Sequence, residues 1–267
     1  MEPLRAIARE AGLRILDVYQ AEFAVETKAD HTPLTAADRA AHGLIVRELG
    51  LLTPGIPVWS EEGTAVPLDQ RRHWPWFWLV DPLDGTREFV NRNGEFTVNI
   101  ALLSGQRPVL GVIHIPVLDR DYWGGAGLGA WRCDGVGPPR AIRVRCPAAQ
   151  PPRVAGSRSH GSDAMAGFLD GLGPHELLSV GSSLKFCLVA EGSADLYPRL
   201  GPTSEWDTAA GQAIVEGAGG QVLDARGRPL RYNSRPQALN PDFLACGTPA
   251  DAWMDLLAHA ASRRNLD

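Results

Sequence analysis

Five apolar residues, Trp76-Phe-Trp-Leu-Val80, run straight into Asp81-Pro82-Leu83-Asp84-Gly85-Thr86, and this junction constrains the fold more than any other part of the chain. A short unbroken apolar run suits a buried strand, and Pro82 and Gly85 then punctuate a tight turn that keeps Asp81 and Asp84 close together. Two hard oxygen ligands three residues apart suit Mg²⁺. Rigid Pro82 leaves the Leu83 carbonyl free to face the same way, adding a backbone oxygen of the kind hard cations accept. Gly85 permits close approach of a phosphate to the main chain, and a helical turn starting at Thr86 would offer it free N–H groups. The same residues equally suit a capped loop, since Asp-Pro and Asp-Gly are ordinary turn pairs.

Three further segments carry acids at comparable places. Ile56-Pro57-Val58-Trp59 is a short apolar run that ends in Ser60-Glu61-Glu62. Trp206-Asp207-Thr208-Ala209-Ala210-Gly211 opens a helical run in which Ala210, Ile214 and Ala218 share one face, setting Asp207 at a helix N-terminus. Thr35 with Asp38 three residues later has the form of a capping box, ahead of a helix whose apolar stripe includes Leu44, Ile45 and Leu49. Each has an ordinary reading: Asp207 as an N-cap, Glu61-Glu62 as a solvated pair, Asp38 as a cap. Beside the other acids, Asp38 also suits the orientation or deprotonation of a water, with a threonine hydroxyl relaying the contact.

At 267 residues the chain can bury a sizeable core, as one large domain or two closely packed lobes. A net charge of −5 argues against broad nucleic-acid or membrane-surface binding, so a polyanionic ligand must meet local positive charge. The N-terminus lacks an apolar signal segment and reads as an amphipathic helix through Leu4, Ile7, Ala11, Ile15 and Val18, and no membrane span is apparent; the expected location is the cytoplasm. Cys133, Cys146, Cys187 and Cys246 are far apart and read as buried, reduced thiols. Helices near 3–20 and 36–50 precede strands near 56–60 and 76–80, followed by a strand pair at 95–104 and 108–116 and a strand region with glycine turns at 121–132 that continue an antiparallel sheet. Beyond the proline-rich junction 146–152, strands near 153–156, 177–180, 194–197, 221–223 and 242–246 alternate with helices near 160–170, 183–191, 207–218 and 249–262. The expected division is an α+β lobe, 1–146, holding most of the metal chemistry, and an α/β lobe, 147–267.

The ordered series Asp38, Glu61-Glu62, Asp81-Pro-Leu-Asp84-Gly-Thr86 and Trp206-Asp207-Thr-Ala-Ala resembles the signature of the lithium-sensitive, magnesium-dependent phosphatases of the inositol monophosphatase superfamily. Lys28-Ala-Asp-His-Thr-Pro-Leu-Thr-Ala-Ala-Asp38, Gly156-Ser-Arg-Ser-His160, Gly181-Ser-Ser-Leu-Lys185-Phe-Cys and Ala194-Asp-Leu-Tyr-Pro-Arg199 are similar to its CysQ-type bisphosphate nucleotidase branch. The resemblance implies an α/β sugar-phosphatase fold layered αβαβα, with the site between two closely packed lobes. It implies that Glu61, Asp81 and the Leu83 carbonyl hold one Mg²⁺, that Asp81, Asp84 and Asp207 hold a second, and that Glu62 binds a third, weaker ion through water. Asp38 and Thr86 would orient the attacking water, and the Gly85 and Thr86 backbone would hold the scissile phosphate. Inhibition by Li⁺ and Ca²⁺ belongs to the same expectation.

The implied substrate is a phosphorylated nucleotide, 3′-phosphoadenosine 5′-phosphate, cleaved to AMP and phosphate. Lys28, Ser157, Arg158, Ser159, His160, Ser182, Ser183, Lys185 and Arg199 supply donors for it. Ordinary roles are open to several: a helix N-cap for Ser182 or Ser183, a surface position for His160, a surface ion pair for Arg199. The chain has 24 arginines but only two lysines, Lys28 and Lys185, both inside these motifs, as if a compact ammonium were needed there. An inositol phosphate, a sugar bisphosphate or the 2′-phosphate of NADP would use the same metal site, and a non-catalytic nucleotide-binding protein on the same scaffold is the alternative of a different class. Both monomer and homodimer are compatible with the sequence.

Overall fold

Leu4, Ile7, Ala11 and Ile15 recur at helical spacing, and in the computed structural model they line the buried face of α1 (Glu2–Gln20). The structure describes residues 1–22, 24–27, 33–157, 162–247 and 251–264. A small antiparallel pair, β1 (Val25–Thr27) and β2 (Pro33–Thr35), leads into α2 (Ala36–Leu52), which packs on α1 through Leu44, Ile45 and Leu49.

Next come β3 (Val58–Ser60), the short α3 (Leu68–Arg71), β4 (Trp76–Asp84), α4 (Thr86–Val90), β5 (Thr97–Ser104), β6 (Arg107–Ile115), β7 (Arg120–Gly125), β8 (Gly129–Asp134) and β9 (Arg140–Ile142). These seven strands form one sheet in chain order, antiparallel except for the parallel pair β3 and β4. The second half adds β10 (Arg153–Ser157), α5 (Asp163–Leu172), β11 (Glu176–Val180), α6 (Leu184–Ala190), β12 (Leu196–Arg199), α7 (Glu205–Gly217), β13 (Gln221–Asp224), β14 (Phe243–Cys246) and α8 (Asp251–Arg264). Its five strands lie in the order β11-β10-β12-β14-β13, with β10 parallel to both neighbours and β14 antiparallel to both of its own.

The period of two along each strand sorts side chains into layers. On β4, Trp78 and Val80 face α1 and α2, whereas Phe77 and Leu79 face α6 and α7. In the smaller sheet, Ala155, Tyr197, Phe243 and Ala245 join that same central core, while Val154, Leu196, Leu244 and Cys246 pack on α5 and α8. The result is the expected αβαβα stack. Its central helix layer lies very close to the large sheet: a Cβ on Gly111 of β6 would come within 2.3 Å of the Ala210 carbonyl of α7.

Several local expectations are corrected. The pairing of β3 with β4 is parallel, so the sheet is mixed; the strand region at 121–132 is the pair β7 and β8 joined by a glycine-containing turn. Strand β9 was not expected; three residues beside Pro138-Pro139 carry too little pattern to announce a strand. Pairing on β4 continues past Val80 to Asp84, and Trp76 at its start is 44% exposed rather than buried. Cys146 is exposed, whereas Cys133, Cys187 and Cys246 are buried, and all four are free thiols. Among the described residues no helix is long and apolar enough to cross a membrane.

Candidate active site

The turn after β4 is a bulge. Asp81 pairs opposite Asn99 of β5 and Asp84 opposite Thr97, so three steps on β4 match two on its partner. One extra residue re-aims the strand end, and the Leu83 N–H donates back to Asp81 Oδ1 across 3.0 Å. Gly85, at φ +93°, then turns the chain into α4. A Cβ there would lie 3.0 Å from the Glu95 carbonyl and 3.2 Å from Ser182 Cβ, so a side chain is excluded by space as well as by conformation.

Parallel pairing brings Glu61 to the same place: its N–H donates to the Val80 carbonyl at 3.0 Å, continuing β3 alongside β4. Asp207 arrives from the other half of the chain, on the first turn of α7, where its Oδ2 accepts from Thr203 Oγ1 (2.7 Å) and the Ser204 N–H (2.9 Å). Ser204 is the N-cap and Asp207 the third helical residue of a capping box, so Asp207 is a capping partner rather than the cap itself. One oxygen from each of Asp81, Asp84 and Asp207 lies within 4.8 Å of the others.

Such a grouping is electrostatically costly by itself. Burial pushes the Asp81 carboxyl well above the usual carboxylate range, and Glu61, Asp84 and Asp207 push it further. Asp207 is pushed up to about 7, first by burial and then by Asp84 and Glu61. Carboxylate oxygens gathered at short separation, with neighbouring acids raising the proton affinity of Asp81 and Asp207, fit a divalent cation such as Mg²⁺.

Asp38 is 1% exposed and divides its two oxygens. Oδ2 accepts from the Thr35 N–H and hydroxyl, both at 2.7 Å, in the expected capping box, while Oδ1 lies 3.4 Å from Thr86 Oγ1. Thr86 Oγ1 is also 3.3 Å from the Leu83 carbonyl. One oxygen of Asp38 is thus taken up by the capping box, and the other faces the Thr86 hydroxyl.

Glu61, Asp81, Leu83, Asp84, Gly85, Thr86 and Asp207 share a cavity of about 280 Å³ with Ser157, Ser182, Ser183, Lys185 and Arg199. Glu62 does not line it, although its charge reaches Arg39 and His42. Ser182 and Ser183, expected to face a ligand, spend their hydroxyls on Asp84 Oδ2, at 2.8 and 2.5 Å. Lys185 is 4% exposed, with Nζ donating to the carbonyls of Ser182 (2.6 Å) and Val180 (3.3 Å) above the Tyr197 ring. Burial pulls its pKa down to about 8. Arg199 donates through Nη2 to the Pro202 carbonyl, while its buried Nε has no hydrogen-bond partner among the described residues. That is not the surface ion pair open to it on sequence. Lys28, Arg158, Ser159 and His160 lie outside the described residues.

Sequence reasoning missed Thr203 and Ser204, which hold Asp207, and Thr97 and Asn99, which back Asp84. The only local sign of the latter two was polarity inside an otherwise apolar strand, Thr97-Val-Asn-Ile-Ala-Leu-Leu.

Known proteins share both the sequence and this arrangement of layers. A 3′(2′),5′-bisphosphate nucleotidase CysQ of Salmonella typhimurium is 51% identical over 245 residues, covering 91% of this chain and 98% of that protein. The CysQ nucleotidase of Escherichia coli K12 is 51% identical over 239 residues, 89% of this chain and 95% of its own. The crystal structure of CysQ from Bacteroides thetaiotaomicron, a bacterial member of the inositol monophosphatase family, superposes with a TM-score of 0.81 at 42% identity, covering 92% of this chain and 96% of that one. An IMPase from Thermotoga maritima has the same fold, with a TM-score of 0.82 at 24% identity over 98% of this chain and 99% of that one. The sequence profile of the inositol monophosphatase family matches residues 1–265, essentially the whole αβαβα stack with its carboxylate cluster, and the chain belongs to that family.

Proposed function

We propose that this protein is a magnesium-dependent phosphomonoesterase that removes the 3′-phosphate of 3′-phosphoadenosine 5′-phosphate, releasing AMP and phosphate. The observation that carries this reading is the group of buried Asp81 with half-buried Asp84 and Asp207 in a cavity that also holds two cationic side chains, Lys185 and Arg199. The 51% identity to proteins named bisphosphate nucleotidases supports the choice of substrate.

Glu61, Asp81 and the Leu83 carbonyl would hold one Mg²⁺, and Asp81, Asp84 and Asp207 a second. Glu62, outside the cavity lining, is an outer partner for a third, weaker ion. When bound, magnesium supplies Lewis acidity that lowers the pKa of the attacking water and neutralises charge on the phosphoryl group. Thr86 Oγ1 accepts a hydrogen bond from that water and directs its own proton to Asp38 Oδ1, which fixes the direction of attack. The Gly85 and Thr86 backbone holds the scissile phosphate, while Arg199 and Lys185, with Ser157 beside them, face the rest of the nucleotide. Lys28, Arg158 and His160 are assigned to the same group by their motifs.

The lobes 1–146 and 147–267 form a single catalytic unit in this reading, because Asp207 and Ser183 of the second complete the acids of the first. Inhibition by Li⁺ follows if a monovalent ion takes one position without supplying the charge needed for turnover, and Ca²⁺ inhibits through looser coordination. The partner in this reading is the small-molecule substrate, and monomer and homodimer are both compatible with it.

The experiment is phosphate release in Mg²⁺ from 3′-phosphoadenosine 5′-phosphate, inositol 1-phosphate, fructose 1,6-bisphosphate and NADP at matched concentrations, with an EDTA control. Preference for the bisphosphonucleotide supports the proposal. Preference for another ester overturns the substrate and keeps the site, and release unaffected by EDTA overturns the metal.

A further inference from the structure

Asp84 is gripped on one oxygen from both halves of the chain. Its Oδ2 accepts from the Ser183 N–H (2.7 Å), the Ser183 hydroxyl (2.5 Å), the Ser182 hydroxyl (2.8 Å) and Asn99 Nδ2 (3.3 Å). Among the described residues no hydrogen bond falls on Oδ1. Ser182 has φ +53°, a left-handed conformation uncommon outside glycine, and this turn sets its hydroxyl and the next N–H on the same acceptor.

The support reaches back into the large sheet. Asn99 is 1% exposed and lies on β5 opposite Asp81; Thr97, fully buried, lies opposite Asp84. Thr97 Oγ1 bonds to Asn99 Oδ1 at 2.9 Å, which fixes the amide so that Nδ2 points to Ser183 Oγ, also at 2.9 Å, and to Asp84. The hydroxyls of Thr97, Ser182 and Ser183 have one proton each. They face more acceptors than they can serve at once: Asn99 Oδ1, each other, Asp84 Oδ2 and the Asp207 carbonyl, 2.7 Å from Ser183 Oγ. In this proton-poor cluster the Asn99 amide is the dependable donor, and Ser183 is the junction between Asp84 and the first turn of α7.

We infer that Asn99 and Ser183 are positioning residues that lock the rotation of the Asp84 carboxylate, occupying Oδ2 so that Oδ1 is presented to a divalent cation. The inference rests on the reading of Asp84 as a magnesium ligand. A carboxylate turns about a soft terminal torsion. Holding it in place beforehand removes an ordering cost from cation binding, and hydrogen bonds that orient a ligand are commonly worth 10–100-fold in metal affinity.

The test is Mn²⁺ titration of the substrate-free protein followed by electron paramagnetic resonance, with thermal melting of the metal-free protein alongside. Asn99→Ala and Ser183→Ala are expected to weaken one Mn²⁺ equivalent about tenfold or more, the one lost in Asp84→Asn, with metal-free melting close to wild type. Ser183→Thr, which keeps the hydroxyl, is expected to recover most of the affinity. Wild-type affinity in both alanine variants overturns the inference, as does a loss that merely follows a lowered metal-free melting temperature. If the wild-type protein binds no Mn²⁺, the magnesium reading itself has failed.

Discussion

Thr86 Oγ1 sits 3.4 Å from Asp38 Oδ1, while the other oxygen of Asp38 caps helix α2 through Thr35. One carboxylate thus caps a helix with one oxygen and faces Thr86 with the other, and the capping and the proposed water-orienting role separate experimentally. Thr86→Val removes only the hydroxyl, so kcat is expected to fall by roughly 10²–10⁴-fold with melting unchanged. Asp38→Ala loses the same catalytic factor and also the helix cap, about 1 kcal/mol of stability. Steady-state kinetics and thermal melts on the two variants check both halves. A Thr86→Val enzyme with wild-type kcat would remove Thr86 from the water-orienting role.

Asp81 is destabilising to the metal-free protein, because burial and three neighbouring acids all work against its charge. Replacing it by asparagine keeps the shape and removes the repulsion. Asp81→Asn is therefore expected to melt higher than wild type in EDTA, on a scale of about 2–4 °C for each kcal/mol in a chain of this size, and to lose turnover. Saturating Mg²⁺ should raise the melting temperature of wild type and leave that of the variant nearly unmoved, reversing their order. A variant that melts lower than wild type in EDTA would show that the acids are not under this tension.

The reach of sequence reasoning follows the range of the interactions involved. The apolar strand leading into Asp81, the capping pair Thr35 and Asp38, and Asp207 on a first helical turn were legible because neighbours within four residues dictate them. The αβαβα stack came from motif resemblance, not from periodicity. What stayed hidden depends on register. Glu61 meets Asp81 only because β3 and β4 run parallel, and Asn99 meets Asp84 only because a bulge offsets β4 against β5. The hydroxyls of Ser182 and Ser183 have long-range partners on Asp84, 98 and 99 residues away, which no local pattern announces. Glu62 shares the motif of Glu61 but does not line the cavity.

Arg199 carries a buried Nε with no hydrogen-bond partner among the described residues, in the wall of the carboxylate cavity. A buried guanidinium donor left unmade is costly and finds its natural partner in an anionic ligand. Arg199→Ala is expected to raise KM for 3′-phosphoadenosine 5′-phosphate by roughly 10–100-fold, the worth of a hydrogen bond to a charged group. The KM for inositol 1-phosphate, which lacks a second phosphate, should change far less. Equal losses on both substrates would assign Arg199 to the scissile phosphate or to the wall itself.

Lys185 gives the stability of the protein a pH signature. Burial lowers its pKa from 10.5 to about 8, so between those values the unfolded chain holds a proton that the folded chain has released. Stability from this group therefore rises with pH across the window from 8 to 10.5, and below 8, where both states hold the proton and the folded chain carries a desolvated ammonium, it stays at its lowest. The full swing is about 3 kcal/mol for a group this deeply buried. Tyr197, Cys246 and other buried phenols and thiols have raised pKa values and slope the opposite way, but they are common to wild type and Lys185→Met. The difference between the two proteins isolates the lysine. Denaturant melts at pH 7.5 and pH 10 are expected to show wild type gaining a few kcal/mol relative to Lys185→Met at the higher pH. Parallel pH dependences would mean that the contacts of Nζ with the Ser182 and Val180 carbonyls fully replace its hydration.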